Sequence, residues 1–123
     1  VKRRPDHTPD NPDVFVFGSN ELGIHGAGAA RYARIQLGAK QRVGLAKNER
    51  SYALPTCSEP GIPLSLAQVG VYVGLFIVCA KARPDLRFYV SPVGCGLAGY
   101  TEDEIAPLFK DAPENCELPE GWR

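Results

Sequence analysis

The stretch VFVFGSN over residues 14–20 constrains this chain more than any other, because four consecutive apolar residues run directly into glycine, serine and asparagine. An uninterrupted apolar run is the pattern of a strand buried on both faces. A second glycine-rich stretch, Gly23-Ile24-His25-Gly26-Ala27-Gly28, comes next, and Ala30, Ala33 and Leu37 then share one side of a helix predicted from Gly26 or Ala27 to about Leu37. Strand, glycine loop and helix in that order point unpaired backbone N–H groups and the positive end of a helix dipole at one spot. Glycine suits such a loop because it takes positive φ and lets a ligand approach the peptide groups closely.

The remainder repeats the alternation. SYALP at 51–55 reads as a second short strand that Pro55 ends, after a stretch at 39–50 with no clear element. Ser65 with Gln68 forms a capping box and Leu64 with Val69 a hydrophobic staple, which predicts a helix running to about Ala82, since Pro84 disfavours helical geometry at Arg83. Gly70 and Gly74 inside it each cost about 1 kcal/mol against alanine, so that face is expected against the sheet. LRFYVSPVG at 86–94 is a β-rich strand, and Gly94-Cys95-Gly96-Leu97-Ala98-Gly99 follows as another nest of N–H donors. Thr101 with Glu104, and Tyr100 with Ile105, then cap and staple a last helix whose regularity Pro107 limits. Strands alternating with helices predict an α/β fold, a three-layer α/β/α sandwich on a mostly parallel or mixed central sheet, with the functional site at the carboxyl ends of the strands.

The 123 residues suit one domain, 14–123, behind a loosely ordered lead-in, 1–13, whose charged, proline-rich sequence is neither a signal peptide nor a membrane anchor. The apolar run 66–80 is shorter than the roughly 20 residues a bilayer span needs, so no membrane partner is expected. Fourteen basic and fourteen acidic side chains cancel, so no long-range field favours nucleic acid. Cys57, Cys79, Cys95 and Cys116 lack metal-type spacing and read as separate reduced thiols of a cytoplasmic protein, and no cofactor or metal is implied.

Two facing nests suit a diphosphate better than a single phosphate. The familiar phosphate loops do not fit: the chain has no Gly-Lys-Ser/Thr, and a dinucleotide fingerprint starting at Gly26 would need glycine or alanine at Arg31.

VFVFGSN…GIHGAGAA together with SPVGCGLAGY resembles the two ligand loops of macro domains. The stretch from Val14 to about Trp122, with SYALPT, EIAPLFKDAPEN and LPEGW, is similar to small stand-alone macro-like proteins of bacteria and phages, mostly of unassigned function. The resemblance implies an ADP-ribose-type ligand. It places Asn20 at the distal ribose, Gly26 and Gly28 against the diphosphate and that ribose, Gly94 to Gly99 (with Cys95, Gly96, Leu97 and Ala98) around the diphosphate, and Tyr100 beside the distal sugar, with Gly18, Ser19 and Ala27 also in the ligand-binding loops. It also implies two possible activities, ADP-ribosyl hydrolysis or phosphatase action on ADP-ribose 1''-phosphate, with Asn20 and His25 as the catalytic candidates. Nothing before Val14 matches the Gly-Asp-hydrophobic element by which macro domains recognise adenine, since Asp6, Asp10 and Asp13 lie in a loop-like segment.

Each of these residues has a plainer role as well. Asn20 suits the turn after a strand, His25 and the helix residues Arg31 and Arg34 suit a solvated surface, Cys95 a small packing site, and Tyr100 the staple. Glu102, Asp103 and Glu104 complement a helix dipole. Three functions of different class follow: an enzyme acting on an ADP-ribose-like substrate, a non-catalytic nucleotide-sensing module, and a protein-interaction scaffold with no nucleotide.

Overall fold

A computed structural model describes residues 13–24, 43–96 and 98–123. The elements are β1 (Asp13–Asn20), β2 (Gly44–Leu45), β3 (Ser51–Glu59), β4 (Ile62–Pro63), helix α1 (Leu66–Ala82), β5 (Arg87–Val90), the one-turn helix α2 (Glu102–Ile105) running into a 3₁₀ turn (Ala106–Phe109), and β6 (Cys116–Glu117). They form a mixed α/β fold on a six-stranded mixed sheet ordered β2-β3-β1-β5-β6, with β4 paired to β3. β1 is parallel to both its neighbours, Val16 pairing with Tyr52 on β3 and with Val90 on β5. The predicted helix from Gly26 to Leu37 lies outside the described residues.

Alternation along the strands gives the sheet two apolar faces. Val14, Val16, Tyr52, Leu54, Phe88 and Val90 join α1 in the main core. Phe76 is its centre, with ring contacts to Tyr52 at 5.1 Å, Phe88 at 5.4 Å and Phe109 at 6.2 Å. Trp122 closes this chain of rings against Phe109 at 5.5 Å and donates its indole N–H to Glu102 at 2.7 Å, so the C-terminal segment packs on its own domain. Phe15 and Phe17 point to the other face, where their rings stack 6.1 Å apart and Phe15 meets Tyr89 edge-on, and both are buried.

Three expectations are corrected. β3 does not end at Pro55 but continues to Glu59. The Arg50 carbonyl accepts from Phe15 N–H, so alternation turns Tyr52 and Leu54 toward β1 and Pro55 away from it, and the missing N–H costs that ladder nothing. The apolar run that marked β1 as 14–17 understates it, because the backbone pairing takes in Asp13 at one end and Gly18, Ser19 and Asn20 at the other. The face of α1 that meets the core carries Val69, Val73, Phe76, Ile77 and Ala80, not Gly70 and Gly74. A methyl on Gly70 would touch Leu108 at 3.6 Å, whereas one on Gly74 would meet nothing within 4 Å.

The predicted caps form as read. Ser65 Oγ accepts from Gln68 N–H while Gln68 accepts from Ser65 N–H, and Thr101 and Glu104 reproduce the arrangement at α2. Pro107 falls where α2 gives way to the 3₁₀ turn.

Candidate functional site

The carboxyl ends of β1 and β5 lie side by side, which brings the residues after each strand together. β1 ends at Gly18-Ser19-Asn20, and a methyl built on Gly18 would touch Thr56 Oγ1 at 3.5 Å and the Gly94 amide nitrogen at 3.7 Å. Ser91 fixes this approach, its N–H and its hydroxyl both donating to the Val16 carbonyl, at 3.0 and 2.7 Å. Thr56 lies beneath both strand ends and donates to the Ser19 carbonyl.

The loop after β5 is closed by its own backbone. Tyr100 N–H donates to the Gly94 carbonyl at 2.9 Å, Gly99 N–H to that of Gly96 at 3.0 Å, and Cys95 N–H to that of Pro92 at 3.4 Å. The amides of Gly94, Gly96 and Ala98 have no partner among the described residues. Gly94 and Gly99 both have φ of +79°, in the left-handed region that favours glycine. Gly94 is constrained a second way, since a methyl there would lie 2.9 Å from Ile105 Cδ1. Gly96 is exposed, and no atom of the described residues stands within 4 Å of where its side chain would begin. Of the three glycines in this loop, Gly96 is the one for which the described fold gives no reason.

Asn20 is buried and its side chain holds the turn that follows: Nδ2 donates to the Ile24 carbonyl at 2.8 Å and Oδ1 accepts from Ile24 N–H at 3.1 Å. Gly23, with φ of 71°, completes that turn by donating to the Asn20 carbonyl. Ser19 is 6% exposed and its hydroxyl has no hydrogen-bond partner among the described residues. Tyr100 is half-buried against the core and its hydroxyl donates to the Leu64 carbonyl, so ring and hydroxyl both tie the loop to the start of α1. Cys95 Sγ lies 3.7 Å from the Val93 carbonyl, and none of the four cysteines forms a disulfide.

The structure thus brings Gly18, Ser19 and Asn20 together with Gly94, Cys95, Gly96, Ala98, Gly99 and Tyr100. His25, Gly26, Ala27, Gly28, Arg31, Arg34 and Leu97 lie outside the described residues. Sequence reasoning missed Thr56 and Ser91, whose only signal was their position at the ends of β-rich segments.

Charge around the junction is acidic or already engaged. Glu102 accepts from Trp122 and Glu104 caps α2. Glu21 accepts from the Tyr72 hydroxyl at 2.6 Å, a bond that raises that phenol above its ordinary 10.0. Three described arginines are held elsewhere: Arg83 by Glu49 and Asp85, Arg87 by Glu117, and Arg123 by the carbonyls of Ala112, Pro113 and Cys116. Arg50 lies at the amino end of β3, where its carbonyl accepts from Phe15, so the donors the described junction could offer an anion are backbone amides. Among the described residues no group of three His, Cys, Asp or Glu side chains is placed to hold a metal ion, and no described helix is long and apolar enough to cross a membrane.

No protein family matches the chain, and no curated protein or solved structure is detectably similar to it.

Proposed function

We propose that this protein binds an ADP-ribose-type nucleotide at the junction of β1 and β5, with the diphosphate held by backbone amides of the loop 94–100. The observation that carries the reading is the loop itself: the amides of Gly94, Gly96 and Ala98 have no partner among the described residues, and no described atom lies within 4 Å of a side chain begun at Gly96. Donors fixed in a folded loop suit an anion because they need no reordering when it binds.

Binding, and not hydrolysis, is the better-supported half of the reading. The Asn20 amide is occupied at both ends by Ile24, so its role is to hold the turn beside the nucleotide. The non-catalytic nucleotide-sensing module is thus preferred over an ADP-ribosyl hydrolase.

The same reading makes the domain a three-layer, macro-like sandwich in which the sheet face opposite α1 is covered as well. Its support is the burial of Phe15, Phe17 and Ala53 on that face. A reducing, cytoplasmic setting accords with four cysteines that form no disulfide.

Calorimetric titration with ADP-ribose, alongside AMP and ribose 5-phosphate, tests the proposal. Micromolar binding of ADP-ribose with much weaker controls is expected. Equal affinity for ribose 5-phosphate would mean that one phosphate suffices, and no binding would leave the protein-interaction scaffold in its place.

A further inference from the structure

A run of hydrogen bonds joins the two halves of the candidate site by way of a third strand. Tyr100, at the end of the loop 94–100, donates its hydroxyl to the Leu64 carbonyl. Leu64, buried just before α1, donates its N–H to the Thr56 carbonyl at 3.0 Å. Thr56, buried on β3, donates its hydroxyl to the Ser19 carbonyl at 3.4 Å. The run thus begins at the amide loop and ends where β1 ends.

Packing follows the same line. Thr56 stands between the two halves: a methyl on Gly18 would meet its Oγ1 at 3.5 Å, and one on Gly94 would meet its Cγ2 at 3.8 Å. Ser91 ties the chain ahead of Gly94 to the Val16 carbonyl, so the loop is anchored by Ser91 before it and by Tyr100 at its close. Between these anchors its backbone closes on itself, Gly99 N–H donating to Gly96 and Tyr100 N–H to Gly94.

On the nucleotide reading above, we propose that Tyr100 and Thr56 are positioning residues, which set the separation of the loop amides from the end of β1 through the run from Tyr100 by Leu64 and Thr56 to Ser19. Tyr100 then serves the ligand through its hydroxyl and the loop, and not as the platform for a distal sugar that the resemblance to macro domains implies. Its ring packs on the core and its hydroxyl is committed to Leu64. Donors that already stand where the phosphates will lie need no ordering when the ligand binds, whereas a loop released at one anchor does.

Calorimetric titration of ADP-ribose, and of ADP, which carries the diphosphate without a distal sugar, tests this in wild type, Tyr100→Phe, Thr56→Val and the double variant. Each substitution keeps the outline of the side chain and removes a hydroxyl. Each is expected to weaken ADP-ribose and ADP by the same factor, about three- to tenfold. The double variant is expected to lose less than the product of the two factors, because both act on one separation. Full affinity in Tyr100→Phe overturns the proposal, since a sugar platform needs only the ring that remains. A loss confined to ADP-ribose overturns it too.

Amide hydrogen exchange separates this proposal from the nucleotide reading. Without ligand, the Gly99 and Tyr100 amides that close the loop are expected to exchange faster in both variants, with the interior of α1 unchanged. Unchanged exchange in a protein that binds ADP-ribose overturns the positioning role alone, whereas a wild type that binds neither ligand overturns the nucleotide reading and this proposal together.

Discussion

Gly94 and Gly96 stand two residues apart and are glycine for different reasons. At Gly94 the fold demands it, since φ is +79° and any Cβ would press on Ile105 at 2.9 Å. Gly94→Ala should therefore cost about 2–3 kcal/mol, combining left-handed strain with displacement of a core side chain, which denaturant unfolding would measure. Sequence spacing marked both glycines alike, because it shows neither φ nor the approach of Ile105. Asn20 was legible as a turn residue and the structure places it in one. The buried phenol of Tyr52 supplies a pH prediction of its own. Burial, reinforced by Cys79, pushes it up to about 12 from an ordinary 10.0. Burial likewise pushes the Cys116 thiol up to about 12 from 9.0. Both groups hold their protons longer folded than unfolded, so their contribution to stability is intact below pH 9.0 and is lost as pH rises toward about 12. Tyr52→Phe should flatten the part of that loss between pH 10.0 and about 12, as followed by urea unfolding across the range.

At the scale of elements, local signals marked where helices begin and said less about what their faces do. Ser65 and Gln68 located the start of α1 because a capping box is written within four residues. Its buried face could not be read the same way, since α1 is apolar nearly all round and periodicity separates faces only when they differ. Gly74→Ala should thus raise the stability of the single chain by about 1 kcal/mol, seen as a higher melting temperature in dilute solution. The other end of α1 depends on a distant residue: Asn115 Nδ2 lies 3.0 Å from each of the carbonyls of Ala80, Arg83 and Leu86. Asn115→Ala should cost about 1–3 kcal/mol through carbonyls left without a donor, again by denaturant unfolding. No sequence pattern announced that bond, because its partners are about thirty residues away. The length of β3 was hidden for a similar reason: whether a proline ends a strand depends on which neighbour its missing N–H faces.

For the molecule as a whole, alternating strands and helices predicted a mixed α/β fold with both glycine loops at strand ends, and the pairing of β1 with β5 brings Gly18 beside Gly94. The short strands β2, β4 and β6 were not legible, since two residues carry no periodicity and owe their pairing to the edges they meet. The described side chains put no uncommitted arginine at the junction, which leaves the amide loop as the feature on which the proposed nucleotide binding rests. Titrating ADP-ribose into wild type and Gly96→Val side by side tests that dependence most directly, because the open space at Gly96 lets valine fold without a clash while filling the ligand's approach. Micromolar binding to the wild type, at least tenfold weaker in Gly96→Val (about 1.4 kcal/mol) with an unchanged melting temperature, is the expected result. Equal affinity in the two proteins would place the nucleotide away from this loop and contradict the proposed site.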